Sequence, residues 1–452
     1  MLRGSTREQN GLVDGVGDAA AAVDGEGRAR TGAVKTAAPG SVWRVHGMPW
    51  LLGSSALWFS GFALLLPVAP LWAIRGGSGG LGAGLVTGVM MACTVLSQLA
   101  MRRVLPGLGW RWTLVLGSVL LGLPALGNLA TDGLWAVLAL AALRGLGFGI
   151  VTVCAANAVA ALVEPARRGR AIGALGLASA SPQFVLVPLA PWLAERAGFD
   201  VVFVLAVLPA LAVPFAWPIA QAIGASEDAS EKASEDASEK ASEDAGEGAG
   251  DRAPADGHVH AAPTALWRAL AGPIAALVVI TASGGAILTF TPHILTSPAL
   301  GFWGLLAFTG AAAVSRWAAG GVADRYGPTV AVAPLLFTGA LGLAAIGLEL
   351  DSIHHAGSRI VALAGLLLAG VAFGGLQNLT LARAFIAAGE PARSTVSIAW
   401  NLSFDAGTGV GAIATGAIAT ATSYSAAFIA LAAAVAVVGA CWSLPPLARR
   451  LR

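Results

Sequence analysis

Two ionisable residues, Asp405 and Arg144, stand inside otherwise apolar stretches of the sequence. Asp405 is the one acid in SFDAGTGVG, and the residues on either side are mostly apolar or small for a dozen positions. Arg144 lies in LRGLGFG, between two long apolar runs. A carboxyl group can bind and release a proton, and its surroundings set how strongly it does so. Asp405 is therefore a candidate for proton binding, and the alternative is a static buried acid that bonds its helix to a neighbour.

The elements that must position these residues are membrane-spanning helices. Hydrophobic residues make up 56% of the chain and charged residues 12%, with a mean hydropathy of +0.74. Soluble domains carry about twice that share of charge. The apolar residues come in blocks of about twenty, the length that a helix needs to cross about 30 Å of hydrocarbon. The blocks fall at 49–73, 82–100, 112–130, 134–161, 171–194, 200–222, 266–292, 300–319, 329–349, 360–387, 395–420 and 424–445.

This pattern predicts an all-α integral membrane protein of about twelve spans, six on each side of a hydrophilic stretch. Residues 1–46 are polar and mixed in charge, so we expect a disordered tail without a cleavable signal peptide. The predicted domains are the tail at 1–46, a six-helix bundle at 47–222, an acidic linker at 223–264, a second six-helix bundle at 265–447 and a basic tail at 448–452.

The linker contains a four-residue repeat, ASEDASEKASEDASEKASEDA, from Ala225 to Ala245. A helix would stack its glutamates at i,i+4, which is repulsive. Lys232 and Lys240, each with aspartates four residues away, offset that repulsion only in part. We therefore expect a disordered or weakly helical linker rather than a specific partner-binding helix.

Basic residues predict the orientation, because cytoplasmic loops of membrane proteins are enriched in lysine and arginine. With the N-terminus inside, the external loops hold only Arg75, Arg196 and Arg359. The short cytoplasmic loops and the C-terminus then hold Arg102, Arg103, Arg111, Arg167, Arg168, Arg170, Arg325, Arg393, Arg449, Arg450 and Arg452. Both termini and the linker should therefore face the cytosol.

The depth of both ionisable residues follows from the same topology. Asp405 comes twelve residues after Arg393, and Arg144 twelve residues after Asp132, so each lies roughly 18 Å into its helix at 1.5 Å per residue. Ionisable groups at this depth are costly and mark functional sites by default. For Arg144 the alternative is a structural tie to backbone carbonyls or to Asn157.

The two halves of the chain resemble each other at one position. VEPARRGRAIG links the fourth and fifth blocks, and GEPARSTVSIA links the tenth and eleventh. The shared Glu-Pro-Ala-Arg occupies 164–167 in the first half and 390–393 in the second. Paired six-helix repeats with the substrate site between them are a known plan of transporters.

Three motifs resemble the major facilitator superfamily. GGVADRYGPT, residues 320–329, matches the family's loop signature in the second half. LRGLGFG, residues 143–149, is similar to its Arg-bearing fourth-helix motif, and SFDAGTGVGAIATG, residues 403–416, to the eleventh helix of a bacterial exporter-type branch. The resemblance covers residues 49–446 apart from the linker. It implies two pseudo-symmetric bundles that rock about a central cavity.

The resemblance also implies roles for particular residues. Gly320, Asp324, Arg325 and Gly327 would form a conformational latch that holds the cytoplasmic side closed, whereas the alternative for Asp324 is a solvated loop acid. Helices four and eleven would both face the cavity, which makes Arg144 the switching partner of a proton on Asp405. The sequence departs from the family pattern at two places. Pro106 replaces the loop acid in the first half, and the fifth helix lacks the motif of drug–proton antiporters.

Other polar residues on the expected cavity helices are substrate-contact candidates, with an ordinary interhelical hydrogen bond as the alternative for each. They are Gln98, Asn157, Gln183, Gln377, Asn378 and Asn401. No histidine or cysteine has metal-ligand spacing, so no metal site is predicted. No sequence matches a nucleotide-binding loop, and we expect no cofactor.

The sequence as a whole predicts a secondary active transporter of a small molecule that works by alternating access, with proton-coupled efflux as the first interpretation. A proton-coupled uptake permease is the alternative within the class. An integral-membrane enzyme is the alternative outside it, and the polar constellation it would need is missing. The expected partners are the substrate, protons and the lipid bilayer of the plasma membrane. We expect no nucleic acid, and we expect a monomer.

Overall fold

The computed structural model describes residues 45–164, 167–245, 263–295, 297–389 and 392–444, and every regular element within these ranges is a helix. The α-helices are α1 (Met48–Arg75), α2 (Gly79–Gly122), α3 (Leu134–Leu162), α4 (Arg168–Ala197), α5 (Phe199–Leu205), α6 (Ala216–Ala245), α7 (Pro263–Ile294), α8 (Pro298–Tyr326), α9 (Val332–Glu349), α10 (Ala356–Ala388), α11 (Arg393–Ala421) and α12 (Tyr424–Ser443). Short 3₁₀ segments cover Leu123–Leu129, Leu208–Phe215 and Leu350–Ser352.

Ten helices in the described ranges are long and apolar enough to cross a membrane. One of them, Gly79–Leu129, has 51 residues and contains the non-helical Gly109, so it holds the second and third predicted spans. α11 has 29 residues, enough to cross about 30 Å of hydrocarbon, but its serines, threonines and glycines keep it outside the ten. With these two additions the spans number twelve, as the apolar blocks predict.

The first half differs from the predicted blocks where its spans are not continuous α-helices. The third predicted span ends in the 3₁₀ segment Leu123–Leu129, and the sixth consists of α5, the 3₁₀ segment Leu208–Phe215 and the start of α6. These segments contain Pro124, Pro209 and Pro214. A proline removes one backbone donor and clashes with the preceding turn, which breaks the regular α-helical pattern at these points.

The acidic repeat differs more from its prediction, because α6 continues from the sixth span through the repeat to Ala245 as one helix. The side chains of the repeat are mostly exposed as far as Ser238, and the Ser226 Oγ–H donates to the Ala161 carbonyl oxygen at 2.8 Å. Alanine, glutamate and lysine are strong helix formers, and the i,i+4 pairs of aspartate and lysine support the helix. These effects outweigh the repulsion between glutamates, so of the two expected forms, disordered or weakly helical, the repeat takes the helical one. Residues 246–262 lie outside the described ranges.

Helices α1–α6 pack mainly against one another, and helices α7–α12 do the same. In the first bundle the rings of Phe62 and Phe148 stack at 4.1 Å, and the Trp58 Nε1–H donates to Ser118 Oγ at 2.8 Å. The two bundles meet where α2 contacts α11, α4 contacts α8, and α1 contacts α7. The terminal tails predicted at 1–46 and 448–452 lie outside the described residues, apart from Val45 and His46.

Candidate functional site

Asp405 lies where the two bundles meet. It is on α11 of the second bundle, only 8% of its surface is exposed, and its Oδ2 accepts a hydrogen bond of 2.8 Å from Nε2 of Gln98 on α2. No lysine, arginine or histidine of the described residues lies within 4.0 Å of the carboxylate. The acid is thus held across the interface by a neutral amide from the opposite bundle.

Small residues allow α2 and α11 to approach this closely. A Cβ on Gly84 would lie 2.4 Å from the Ala412 carbonyl oxygen, and a Cβ on Gly409 would lie 2.9 Å from the Met91 side chain. Such contacts let the backbones of two membrane helices touch. In addition, Thr87 and Thr289 share a hydrogen bond of 2.9 Å between α2 and α7. The tight contact runs from Asp405 toward the end of the molecule where α1 is followed by α2, here called the α1–α2 end.

The opposite end, which carries the turns at Gly109 and Gly327 and the acidic repeat, is here called the linker end. At this end a Cβ on Gly169, Gly173 or Gly176 of α4 would meet no other group within 4 Å. The bundles therefore contact each other closely at the α1–α2 end and leave α4 uncovered at the linker end. This is the arrangement expected of one of the two states of a rocking transporter.

Arg144 is not beside Asp405 in this structure. It is 1% exposed, and its guanidinium donates from Nη2 to the Gly61 carbonyl oxygen at 2.9 Å and from Nε to the Leu121 carbonyl oxygen at 3.3 Å. Leu121 lies one residue before the end of α2, where carbonyl groups lack partners within the helix. Arg144 thus connects three spans of the first bundle, which is the structural role set out above as its alternative. In this state Gln98 takes the place predicted for Arg144.

The structure places the remaining predicted site residues in different surroundings. Gln183 and Asn401 donate to carbonyl groups of their own helices, at 3.0 and 2.8 Å, and Asn157 is exposed. Asp324 is exposed and has no hydrogen-bond or ion-pair partner among the described residues. The predicted latch is thus not engaged in this state, and its role stays a prediction.

Arg316 is a residue that the sequence analysis missed. It lies on α8 ten residues before Tyr326, and its Nη1 donates to Gln377 Oε1 on α10 at 3.1 Å. Asn378, also on α10, donates from Nδ2 to the Arg316 carbonyl oxygen at 3.0 Å. From the apolar block at 300–319, Arg316 would lie only three residues from the end of its span. The helix continues to Tyr326, so Arg316 lies deeper in the membrane than the block indicates. The candidate residues Gln377 and Asn378 are thus brought together with Arg316.

The chain belongs to the Major Facilitator Superfamily, whose family model matches residues 51–405. It is accordingly a multi-span membrane protein and a secondary transporter of small molecules, and the predicted fold of two six-helix bundles is confirmed. No curated protein matches the chain.

Solved structures share the fold at low sequence identity. A variant of the peptide transporter POT in complex with sulfate has a TM-score of 0.67 at 15% identity, over 90% of this chain and 94% of that one. The nucleoside transporter NupG has a TM-score of 0.59 at 12% identity, over 88% of this chain and 98% of that one, and a variant of NupG reaches 0.60 at the same identity and coverage. At these identities the likeness concerns the fold alone.

Proposed function

We propose that this chain is a proton-coupled efflux transporter of a small molecule, in which Asp405 binds the coupled proton. The observation that carries the proposal is the hydrogen bond of 2.8 Å from Gln98 to the buried Asp405 carboxylate, made between opposite bundles. A charge at this depth in a membrane span costs a few kcal/mol, which makes a functional role for the acid the first hypothesis.

Alternating access links this hydrogen bond to the transport cycle. When the α1–α2 end opens, α2 and α11 separate, and Asp405 exchanges the Gln98 amide for water. A carboxyl group with different surroundings in two states binds a proton with different affinity in each. By the same linkage, proton binding favours one state over the other. This reciprocity is what coupling transport to a pH gradient requires.

The proposed direction of transport rests on a resemblance in sequence. The stretch 403–416 of α11, which holds Asp405, resembles the exporter-type branch of the family. The test uses the full chain in vesicles of known sidedness, with a panel of small molecules and an imposed pH gradient. For efflux, we expect substrate to move in the direction opposite to proton entry. A protonophore should abolish this movement. Movement of substrate together with protons would instead establish the uptake permease.

Orientation and location belong to the same proposal. The proposal includes a monomer in the plasma membrane. It also has both termini and the linker end facing the cytosol, because the arginines of the short loops lie at that end. A reporter that is active only outside the cell should stay silent when fused near Ala245 and be active when fused near Ser352. The opposite pattern would reverse the orientation and, with it, the side from which Asp405 receives its proton.

A further inference from the structure

Arg316 is a charged residue inside a membrane span, and most of its guanidinium donors have no acceptor among the described residues. Ten residues separate it from Tyr326 at the end of α8, so it lies roughly 15 Å along the helix from the linker end. The residue is exposed, whereas its partner Gln377 is only 5% exposed. Charged groups inside membrane spans almost always face the interior of the bundle or a water-filled cavity. The contact with the buried Gln377 turns the Arg316 head group toward α10 and away from lipid.

The charge on Arg316 has no counter-ion in the described residues. Among the described residues, no carboxylate lies within 4.0 Å of its nitrogens, and one of its five N–H donors has an acceptor, Gln377 Oε1. The contrast with Arg144 is informative, because Arg144 is buried and is bound to two backbone carbonyls. Arg316 instead has guanidinium donors without an acceptor among the described residues. A guanidinium in this condition matches the planar, two-oxygen face of a carboxylate or phosphate group.

We infer that Arg316 binds an anionic group of the transported substrate, a carboxylate or a phosphate monoester, with Gln377 orienting its guanidinium. The inference rests on the proposed transport function and specifies the chemical class of its cargo. Gln377 fixes Nη1, and the Asn378 bond to the Arg316 carbonyl holds α8 against α10 at this level. The remaining donors form the recognition surface. A membrane potential that is negative inside drives anions outward, which agrees with export.

The test measures modification of arginine by phenylglyoxal in the purified full chain, with mass spectrometry of individual residues. Arg316 should react, while the buried Arg144 should stay unmodified. Benzoate or phenyl phosphate should slow the reaction of Arg316 roughly threefold or more at a few times the Kd, because reaction is limited to the unbound fraction. The exposed Arg325 serves as the internal reference, and benzamide as the neutral probe of matched size. Whichever of the two anions protects Arg316 at the lower concentration identifies carboxylate or phosphate as the preferred group.

Three results would overturn the anion site. They are an Arg316 that does not react, a reaction that neither anion slows relative to Arg325, and equal protection by benzamide. A second variant makes the test stricter. Gln377→Glu places a carboxylate next to Nη1 as a built-in anion, so benzoate and phenyl phosphate should lose their effect on Arg316. Persistent protection in Gln377→Glu would also contradict the site.

The assay separates this inference from the proposed coupling because it needs no pH gradient and no transport. Asp405→Asn should keep the protection of Arg316 by anions, since Asp405 lies on α11 and does not contact Arg316. Loss of protection in wild type together with intact proton-driven transport would refute the anion site alone. Protection of Arg316 together with pH-independent transport would refute the proton coupling alone.

Discussion

Arg144 in the first bundle and Arg316 in the second each place a guanidinium inside a membrane span, yet the two are held in opposite ways. Arg144 is buried and donates to the carbonyl groups of Gly61 and Leu121, so its charge is compensated by backbone dipoles of neighbouring spans. Arg316 is exposed and donates to one amide oxygen of Gln377. The difference indicates that an ionisable residue within a span can be a structural tie or a binding group, and that its unused donors distinguish the two.

Asp405 lies between these extremes. It is buried like Arg144, but its one hydrogen-bond partner among the described residues, Gln98, belongs to the opposite bundle, so the proposed rocking of the bundles would separate the two. A bond within one bundle persists through rigid-body rocking, whereas a bond between bundles does not. This places the expected effects of substitution in order, with stability changes largest at Arg144 and functional changes largest at Asp405 and Arg316.

The largest expected effect on stability is that of Arg144→Met. The substitution removes two hydrogen bonds from a charged donor and leaves the Gly61 and Leu121 carbonyls without it, at a cost of roughly 3 kcal/mol. Thermal unfolding of the protein in detergent should show a clear fall in Tm. Arg316→Met is the matched control, and its Tm should stay near that of wild type because it loses one hydrogen bond at an exposed residue. Equal falls in both variants would remove the distinction between the two arginines.

Substitution of a glycine near each arginine should also change the stability of the protein differently in the two bundles, by a smaller amount. A Cβ on Gly145 would lie 2.2 Å from the Met90 carbonyl oxygen, so Gly145→Ala should force α2 and α3 apart and cost about 1–3 kcal/mol. On α8 the nearest group to a Cβ at Gly320 is Asn378 Nδ2 at 3.6 Å. Gly320→Ala should therefore be neutral, or stabilising by about 0.5–1 kcal/mol, because alanine favours the helix. A Tm for Gly145→Ala at or above that of Gly320→Ala would contradict the packing described for the first bundle.

The smallest effect on stability is expected for Asp324→Asn. Asp324 is exposed and has no partner among the described residues in this state, so the Tm should not change measurably. If it forms a latch when the linker end closes, transport should slow, and cysteines placed on the cavity side of α4 should be labelled faster. Unchanged transport and labelling would reduce Asp324 to a solvated loop acid.

The sequence predicts much of this fold because its main signal, the length and spacing of apolar blocks, reflects the thickness of the bilayer. It predicts the burial of Asp405 and Arg144 for the same reason, since helix length converts to depth. It does not predict the partner of Arg144, because contacts between spans depend on packing that no periodicity encodes. The sequence does not predict the depth of Arg316, because α8 extends seven residues beyond the end of its apolar block, from 319 to Tyr326. The sequence does not predict the continuous helix of the acidic repeat, because the strong helix propensity of its residues and the weak repulsion between its glutamates act in opposite directions.

The measurement that tests the account most directly compares two modes of transport in Asp405→Asn. In proteoliposomes, the variant should fold, retain exchange of substrate across the membrane at equal pH, and lose accumulation driven by a pH gradient. Ser403→Ala, on the same helix two residues earlier, is the control and should retain both modes, because the Ser403 Oγ–H donates to the Ala399 carbonyl of its own helix. Accumulation of substrate by this variant, with a pH difference as the only driving force, would show that Asp405 is a structural acid.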